Sequence, residues 1–292
     1  MAISSRRSLL TAVGACVVVG LLAGCPPGEP TTPTSSPAAT ESPSTPTPTT
    51  EPSPTATATA DQAVYFMTDT GLELRLVREL VAVADPTVQS AVEQMIEGPT
   101  DPDYISPWNP STQVLGVSQS PTGVVVDLSA DALTANIGSA GAGLMLQQLA
   151  YTVSSAAGDP SVPVGLTIEG TPPTELWGAI DYTGPVTRAD PISVRLLVQI
   201  DEPREGATSG SPVTVSGEAA VFEATLPWKV LDGSGTEVAS GVTMTAEGQT
   251  FAPFSFTVDL DPGTYTVVIT EDDPSDGAGR PPMTDSRTVT VS

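Results

Sequence analysis

Asp85-Pro86-Thr87-Val88-Gln89-Ser90-Ala91-Val92-Glu93-Gln94-Met95-Ile96-Glu97-Gly98-Pro99 reads as an amphipathic helix with both of its ends encoded. Asp85 offers a capping carboxylate, Pro86 suits a first turn that needs no N–H, and Gly98-Pro99 stops the helix. Val88, Ala91, Val92, Met95 and Ile96 recur at helical spacing, so one face is apolar and needs a cover. Upstream, residues 64–67 and 72–77 read as extended pieces around the turn-rich Thr68-Asp69-Thr70-Gly71. Downstream, 114–117 and 124–128 read as a strand pair joined across 118–123. A second helix covers 140–156, with Leu146, Leu149, Ala150 and Val153 on one face and Gly158-Asp159-Pro160 ending it. Residues 162–168 supply a further strand that turns at Glu169-Gly170. Strand, helix, strand, strand, helix, strand is the order of a split β-α-β-β-α-β sandwich, an α+β fold with helices on one face of a sheet. This unit occupies 61–182.

Residues 183–191, with Gly184-Pro185 and Asp190-Pro191, read as a linker, and 192–292 as all-β. Strand candidates are 194–200, 213–216, 222–231, 236–244, 250–258, 264–270 and 288–291, a spacing that predicts an immunoglobulin-like sandwich. Trp228 falls in the third strand, where such sandwiches bury a tryptophan. Asp261-Pro262-Gly263-Thr264-Tyr265 has the form of a tyrosine corner. Two residues further on, where antibody domains carry a cysteine, stands Val267, which predicts aliphatic packing in place of a disulfide.

The first 60 residues have another character. Residues 1–24 combine Arg6 and Arg7, an apolar run over 9–22 and small residues before Cys25, the three parts of a signal peptide. A run of ~14 residues is too short to cross a bilayer as a helix, which takes ~20. Ser5-Arg6-Arg7-Ser8-Leu9-Leu10 leaves the twin-arginine and general secretory routes both open. Leu22-Ala23-Gly24-Cys25 resembles the lipobox of bacterial lipoproteins. That resemblance implies a diacylglycerol on Cys25, cleavage before it, and a protein held on the outer face of the plasma membrane, with an ordinary secretory peptide as the alternative. Residues 25–60 are nearly all Pro, Thr, Ser and Ala and lack the apolar side chains of a core, so they read as a disordered tether able to reach up to ~100 Å. A glycosylated stalk and a plain linker are both open readings of it.

Several blocks of the α+β unit carry a further resemblance: Glu97-Gly98-Pro99-Thr100, Val124-Val125-Val126-Asp127-Leu128-Ser129, and Gln147-Gln148-Leu149 followed by 164–168. Over 64–177 the chain resembles the GerMN domain of sporulation and germination lipoproteins. Gly217-Glu218-Ala219 and Thr264-Tyr265-Thr266-Val267 make the sandwich similar to the Gmad2 immunoglobulin-like domain that often follows GerMN. The resemblance implies an extracytoplasmic module, related in some cases to ring-building domains of envelope channels and in others accompanying actinobacterial sensor kinases. It implies no catalytic residue.

Composition narrows the chemistry. Among 292 residues there is no histidine, and Asp plus Glu outnumber Lys plus Arg by 34 to 10, for a net charge of -24. Lys229 is the sole lysine, and Cys16 and Cys25 are the cysteines. Histidine-based triads, His or Cys zinc sites and a P-loop lysine lack their residues, and an acidic chain is a poor nucleic-acid ligand. Ser111, Ser129 and Ser193 have no histidine partner, and Gly138, Gly141 and Gly143 precede a helix without the lysine of a phosphate loop. No pair of carboxylates stands out as a glycosidase pair, so no catalytic residue is expected.

Two stretches remain as candidate sites. In Tyr104-Ile105-Ser106-Pro107-Trp108-Asn109-Pro110 the rings of Tyr104 and Trp108 form an exposed platform for a sugar or a partner, or else close the core beneath the first helix. In Glu271-Asp272-Asp273-Pro274-Ser275-Asp276-Gly277 the carboxylates of Asp272, Asp273 and Asp276 offer hard oxygen ligands for calcium, the one cofactor considered. Pro274 falls on a ligand position of the helix-loop-helix pattern, and the alternative is a solvated acidic loop. The sequence thus favours a non-enzymatic, membrane-anchored module whose partner is another envelope protein, with binding of cell-wall glycan or a small ligand as the alternative.

Overall fold

The computed structural model describes residues 59–135, 137–273 and 278–292. The signal peptide, Cys25 and the tether up to residue 58 lie outside them. The described residues group into one compact unit.

The first domain opens with a hairpin. Strand β1 (Ala60–Asp69) pairs along its whole length with β2 (Leu74–Val83) across a turn in which Asp69 Oδ1 accepts from Gly71 N at 2.8 Å. Helix α1 (Val88–Glu97) follows, with the expected five apolar residues buried. Its cap is Thr87 rather than Asp85. Thr87 Oγ1 accepts from Ser90 N at 3.0 Å and Ser90 Oγ accepts from Thr87 N at 2.9 Å, a reciprocal pair that satisfies two free N–H groups at once. The two-residue β3 (Tyr104–Ile105) then returns to the other edge of β1. A second sheet follows: β4 (Val114–Ser120) is antiparallel to β5 (Gly123–Leu128), and β6 (Val164–Ile168) lies parallel to β5 after the crossover through α2 (Ser139–Ala156). The short hairpin β7 (Glu175–Leu176) and β8 (Ile180–Asp181) completes the domain.

Between the domains the chain stays on the protein. Val186 pairs with Val164, Ala189 N donates to Gln147 Oε1 at 2.7 Å, and Arg188 donates to Ser154 and Ser155 on α2. A single helical turn, α3 (Pro191–Val194), is capped by Asp190 and leads into the second domain. That domain has β9 (Val198–Glu202), β10 (Ala207–Ser209), β11 (Val213–Ala219), β12 (Thr225–Asp232), β13 (Glu237–Met244), β14 (Ala252–Val258), β15 (Gly263–Thr270) and β16 (Thr284–Val291). The strands form two facing sheets, ordered β10-β16-β15-β12-β13 and β14-β11-β9. The strand absent from the sequence reading is β10, three residues parallel to β16. It is too short for its periodicity to show and is held by the ladder from Ala207 to Ser209.

Alternation along β11, where Val213, Val215, Gly217 and Ala219 are buried and the residues between are not, fills the space between the sheets. Val267 is fully buried on β15, as expected of an aliphatic substitute for a bridge. Tyr265 Oη donates to the Asp261 carbonyl at 3.0 Å, which closes the tyrosine corner. Trp228 is only half-buried: it shares a face with the buried Leu226 and Val230 but stands near the rim, stacked on Phe256 at 4.5 Å. Gly217 sits at the irregularity where β11 meets β9, and a Cβ there would run into the Gln199 carbonyl.

Candidate functional site

The aromatic stretch resolves into two separate environments. Tyr104 and Trp108 are 4% and 3% exposed, so neither offers a flat face to solvent, and the exposed platform gives way to core packing. Because β3 covers only Met67 and Thr68, the backbone of Tyr65 on β1 needs partners from elsewhere, and α2 supplies them. Tyr65 N donates to Thr152 Oγ1 at 3.1 Å, and the Tyr65 carbonyl accepts from Gln148 Nε2 at 2.9 Å. Gln148 Oε1 in turn accepts from Trp108 Nε1 at 3.1 Å. The Gln147-Gln148 pair therefore clamps two things, Gln147 the interdomain segment and Gln148 the strand and the indole.

Above Trp108 lies a shallow open trough of about 620 Å³ lined by Pro107, Trp108, Pro110, Leu133, Ala135 and Trp177. Trp177 packs edge-on against Trp108 at 5.6 Å and donates from Nε1 to the Ala132 carbonyl at 2.9 Å. Sequence reasoning missed Trp177, which lies far along the chain with a positive φ of 54° after a two-residue strand, a setting without periodicity. In the acidic loop, Asp272 and Asp273 are described and Asp276 lies outside the described residues. Among those residues no group of three or more His, Cys, Asp or Glu side chains gathers to hold a metal.

The ionisable chemistry of this protein concentrates instead where the two domains meet. Arg287 on β16 is 3% exposed and binds Asp101 Oδ2 at 2.8 Å and Asp285 Oδ1 at 3.0 Å, while also donating to the Ser286 and Ile200 carbonyls. Tyr104 Oη donates to Asp285 Oδ1 at 2.7 Å, and Ile200 N donates to Asp285 Oδ2 at 2.7 Å. One buried guanidinium thus serves two buried carboxylates, one from each domain. Burial pushes the Asp101 carboxyl up to about 6, against the pull of the Asp103 N–H and Arg287. Asp285 is also raised, chiefly by burial, and burial lifts the Tyr104 phenol well above its usual range. For Arg287 burial works against the charge, but Asp285, Tyr104 and Asp101 outweigh it and hold the guanidinium firmly protonated.

A second cluster lies along the same seam. Arg78 of β2 forks onto Asp201, with Nε to Oδ1 at 3.0 Å and Nη2 to Oδ2 at 2.5 Å, and reaches Glu218 at 2.8 Å. Arg195 also binds Glu218, and its guanidinium lies over the Phe251 ring at 3.9 Å. Gln199, fully buried, accepts from Arg78 N and donates to the Arg78 carbonyl. Leu196 N donates to the Leu76 carbonyl at 2.7 Å, so backbone crosses the seam as well. Perturbed ionisable groups often mark active sites, but these are largely closed on one another, Arg195 Nε being a buried donor left without a hydrogen-bond partner among the described residues. The arrangement is chemically suited to fixing one domain against the other.

Fold and seam together define a class: an α+β domain joined by a buried ionic interface to an immunoglobulin-like sandwich. Residues 63–174 match the Germane family model, described as sporulation and spore germination, and 197–278 match the Gmad2 model, described as an immunoglobulin-like domain of bacterial spore germination. The chain therefore carries a GerMN domain followed by a Gmad2 domain. Similar solved structures include the tandem GerMN domains of the sporulation protein GerM from Bacillus subtilis. That match has 15% identity, covers 48% of this chain and 49% of that one, and has a TM-score of 0.34. This chain thus spans about half the length of the tandem protein. The first GerMN domain of the same protein matches at 16% identity over 45% of this chain and 99% of that one, with a TM-score of 0.37. A Clostridium perfringens chain described as a candidate lipoprotein matches at 16% over 47% and 93%, with a TM-score of 0.32. No curated protein matches the chain. Among the described residues no helix is long and apolar enough to cross a membrane.

Proposed function

We propose that this protein is a non-enzymatic lipoprotein, anchored through Cys25 to the outer face of the bacterial plasma membrane, that serves as an interaction or assembly module for another envelope protein. Its setting is sporulation or germination, or service to a sensor or wall machine. The observation that carries this reading is the seam: the strongly perturbed buried ionisable groups Asp101, Asp285 and Arg287 hold two domains of germination-associated families together. A rigid two-domain body on a long tether is suited to presenting a surface to a partner. Photo-crosslinking in intact cells from Ile105, 47% exposed beside the buried Tyr104, and from Thr214 on the sandwich tests it. A reproducible envelope-protein adduct supports the reading; adducts confined to wall glycan refute it.

The trough beside the half-buried Trp177 favours a second reading, binding of cell-wall glycan or a small ligand, because an apolar concavity with an aromatic wall suits a sugar ring. Trp177→Ala together with Leu133→Ala should then abolish co-sedimentation with purified wall. Unchanged co-sedimentation removes the trough from consideration.

A further inference from the structure

Three guanidinium groups gather at the Tyr65 side chain. Arg78 stands directly opposite Tyr65 in the β1–β2 ladder, so the two share a face of the hairpin. Arg195 Cζ lies 5.7 Å from the centre of the Tyr65 ring, and Arg188 Cζ lies 5.9 Å from it and 4.7 Å from the Tyr151 ring. Two carboxylates answer them, and not evenly: Asp201 and Glu218 bind Arg78, and Glu218 also binds Arg195. Among the described residues Arg188 forms no ion pair. Its Nε and Nη2 are spent on the Ser154 and Ser155 hydroxyls and the Tyr151 carbonyl. Asp190, two residues on, is exposed and occupied in capping α3.

Within a chain of net charge -24 this nook is short of acceptors. Arg195 is 5% exposed and Tyr65 2% exposed, yet Arg195 Nε has no hydrogen-bond partner among the described residues. The Tyr65 hydroxyl and Arg188 Nη1 find no protein acceptor there either. Of the three donors only Arg195 Nε is sealed from solvent, so the other two remain within reach of a solute. A buried charge without a counter-charge is costly, and burial draws the Arg188 guanidinium below its usual range while Arg195 and Arg78 add to the effect. We infer that the nook formed by Arg188, Arg195 and Tyr65 is a binding site for a carboxylate. Three cations against two carboxylates leave an excess of one positive charge, which a monoanion neutralises. Guanidinium and carboxylate also match as donor and acceptor, so the ligand accepts from Arg188 Nη1 and the Tyr65 hydroxyl in the field of Arg195. The source is a free carboxylic acid or the carboxyl end of a peptide. The inference does not rest on the envelope role proposed above.

The test is thermal unfolding of the detergent-solubilised full chain at pH 7.5 and constant ionic strength, with acetate, phosphate or a trialanine peptide replacing chloride. Acetate should raise Tm saturably, by roughly 3–6 °C at about ten times its half-saturating concentration. The peptide should do so at lower concentration if the source is a chain end and at higher concentration if it is a free acid. Arg188→Gln should abolish the rise. Tyr65→Phe keeps the ring and guards against a folding defect in the first variant; it should move half-saturation to higher acetate, while Arg280→Gln, exposed in the acidic loop, should leave it unchanged. No rise beyond that in chloride overturns the inference. A rise that survives both substitutions in the nook reports an adventitious ion only and overturns it as well. Saturation by phosphate at lower concentration than acetate, through the same residues, would overturn the choice of a carboxylate.

Discussion

Replacing Arg287 with methionine, similar in length and without charge, removes the one cation that two buried carboxylates share. The guanidinium donates to Asp101, Asp285 and the Ser286 and Ile200 carbonyls at 2.6–3.0 Å. Hydrogen bonds to charged groups are worth ~1.5–3 kcal/mol each, but burying the guanidinium offsets much of their sum. Breaking a buried pair from one side costs about 3–5 kcal/mol, because the remaining charge has no partner. At ~2–4 °C per kcal/mol for a chain of this size, Tm should fall by roughly 6–20 °C near pH 7.5. Without the guanidinium both carboxylates take up protons more readily, so the penalty should shrink on acidification toward about pH 5. Urea unfolding followed by tryptophan fluorescence is the assay, since Trp108 and Trp177 report the first domain and Trp228 the second. Adding Asp101→Asn and Asp285→Asn should recover most of the loss. A change under ~1 kcal/mol at pH 7.5, or a penalty that grows on acidification, would refute the account of the seam.

In the unaltered protein Asp101 has a folded-state pKa of about 6, above its ordinary 3.8, so the folded form holds the proton more tightly. Its contribution is greatest below pH ~4 and is lost as pH rises through about 6, a change of at most ~3 kcal/mol; Asp101→Asn should flatten that slope in equilibrium unfolding. Gly217→Val should prevent accumulation of folded protein or lower stability by over ~3 kcal/mol, read by circular dichroism, because its Cβ meets the Gln199 carbonyl. Gln148→Leu leaves the Trp108 indole N–H and the Tyr65 carbonyl unpaired and should cost about 2–5 kcal/mol, with the loss sensed at Trp108 in fluorescence.

The sequence by itself determined both fold classes. Apolar spacing over 88–96 and 140–156, alternation such as that of β11, and turn residues such as Gly158-Asp159 and Asp232-Gly233 act locally, so they are legible without a partner in view. The tyrosine corner at Tyr265 and the buried Val267 were readable for the same reason: their meaning depends on residues a few positions away. Only tertiary structure decided the rest. Trp108 pointed into the core because Gln148, 40 residues on, offers its acceptor there, and Trp177 joined it from another loop. The seam is the extreme case. Asp101 and Arg287, 186 residues apart, look like ordinary surface charges in sequence, and an ionised side chain declares itself buried only when the fold brings its counter-charge into the same dry volume.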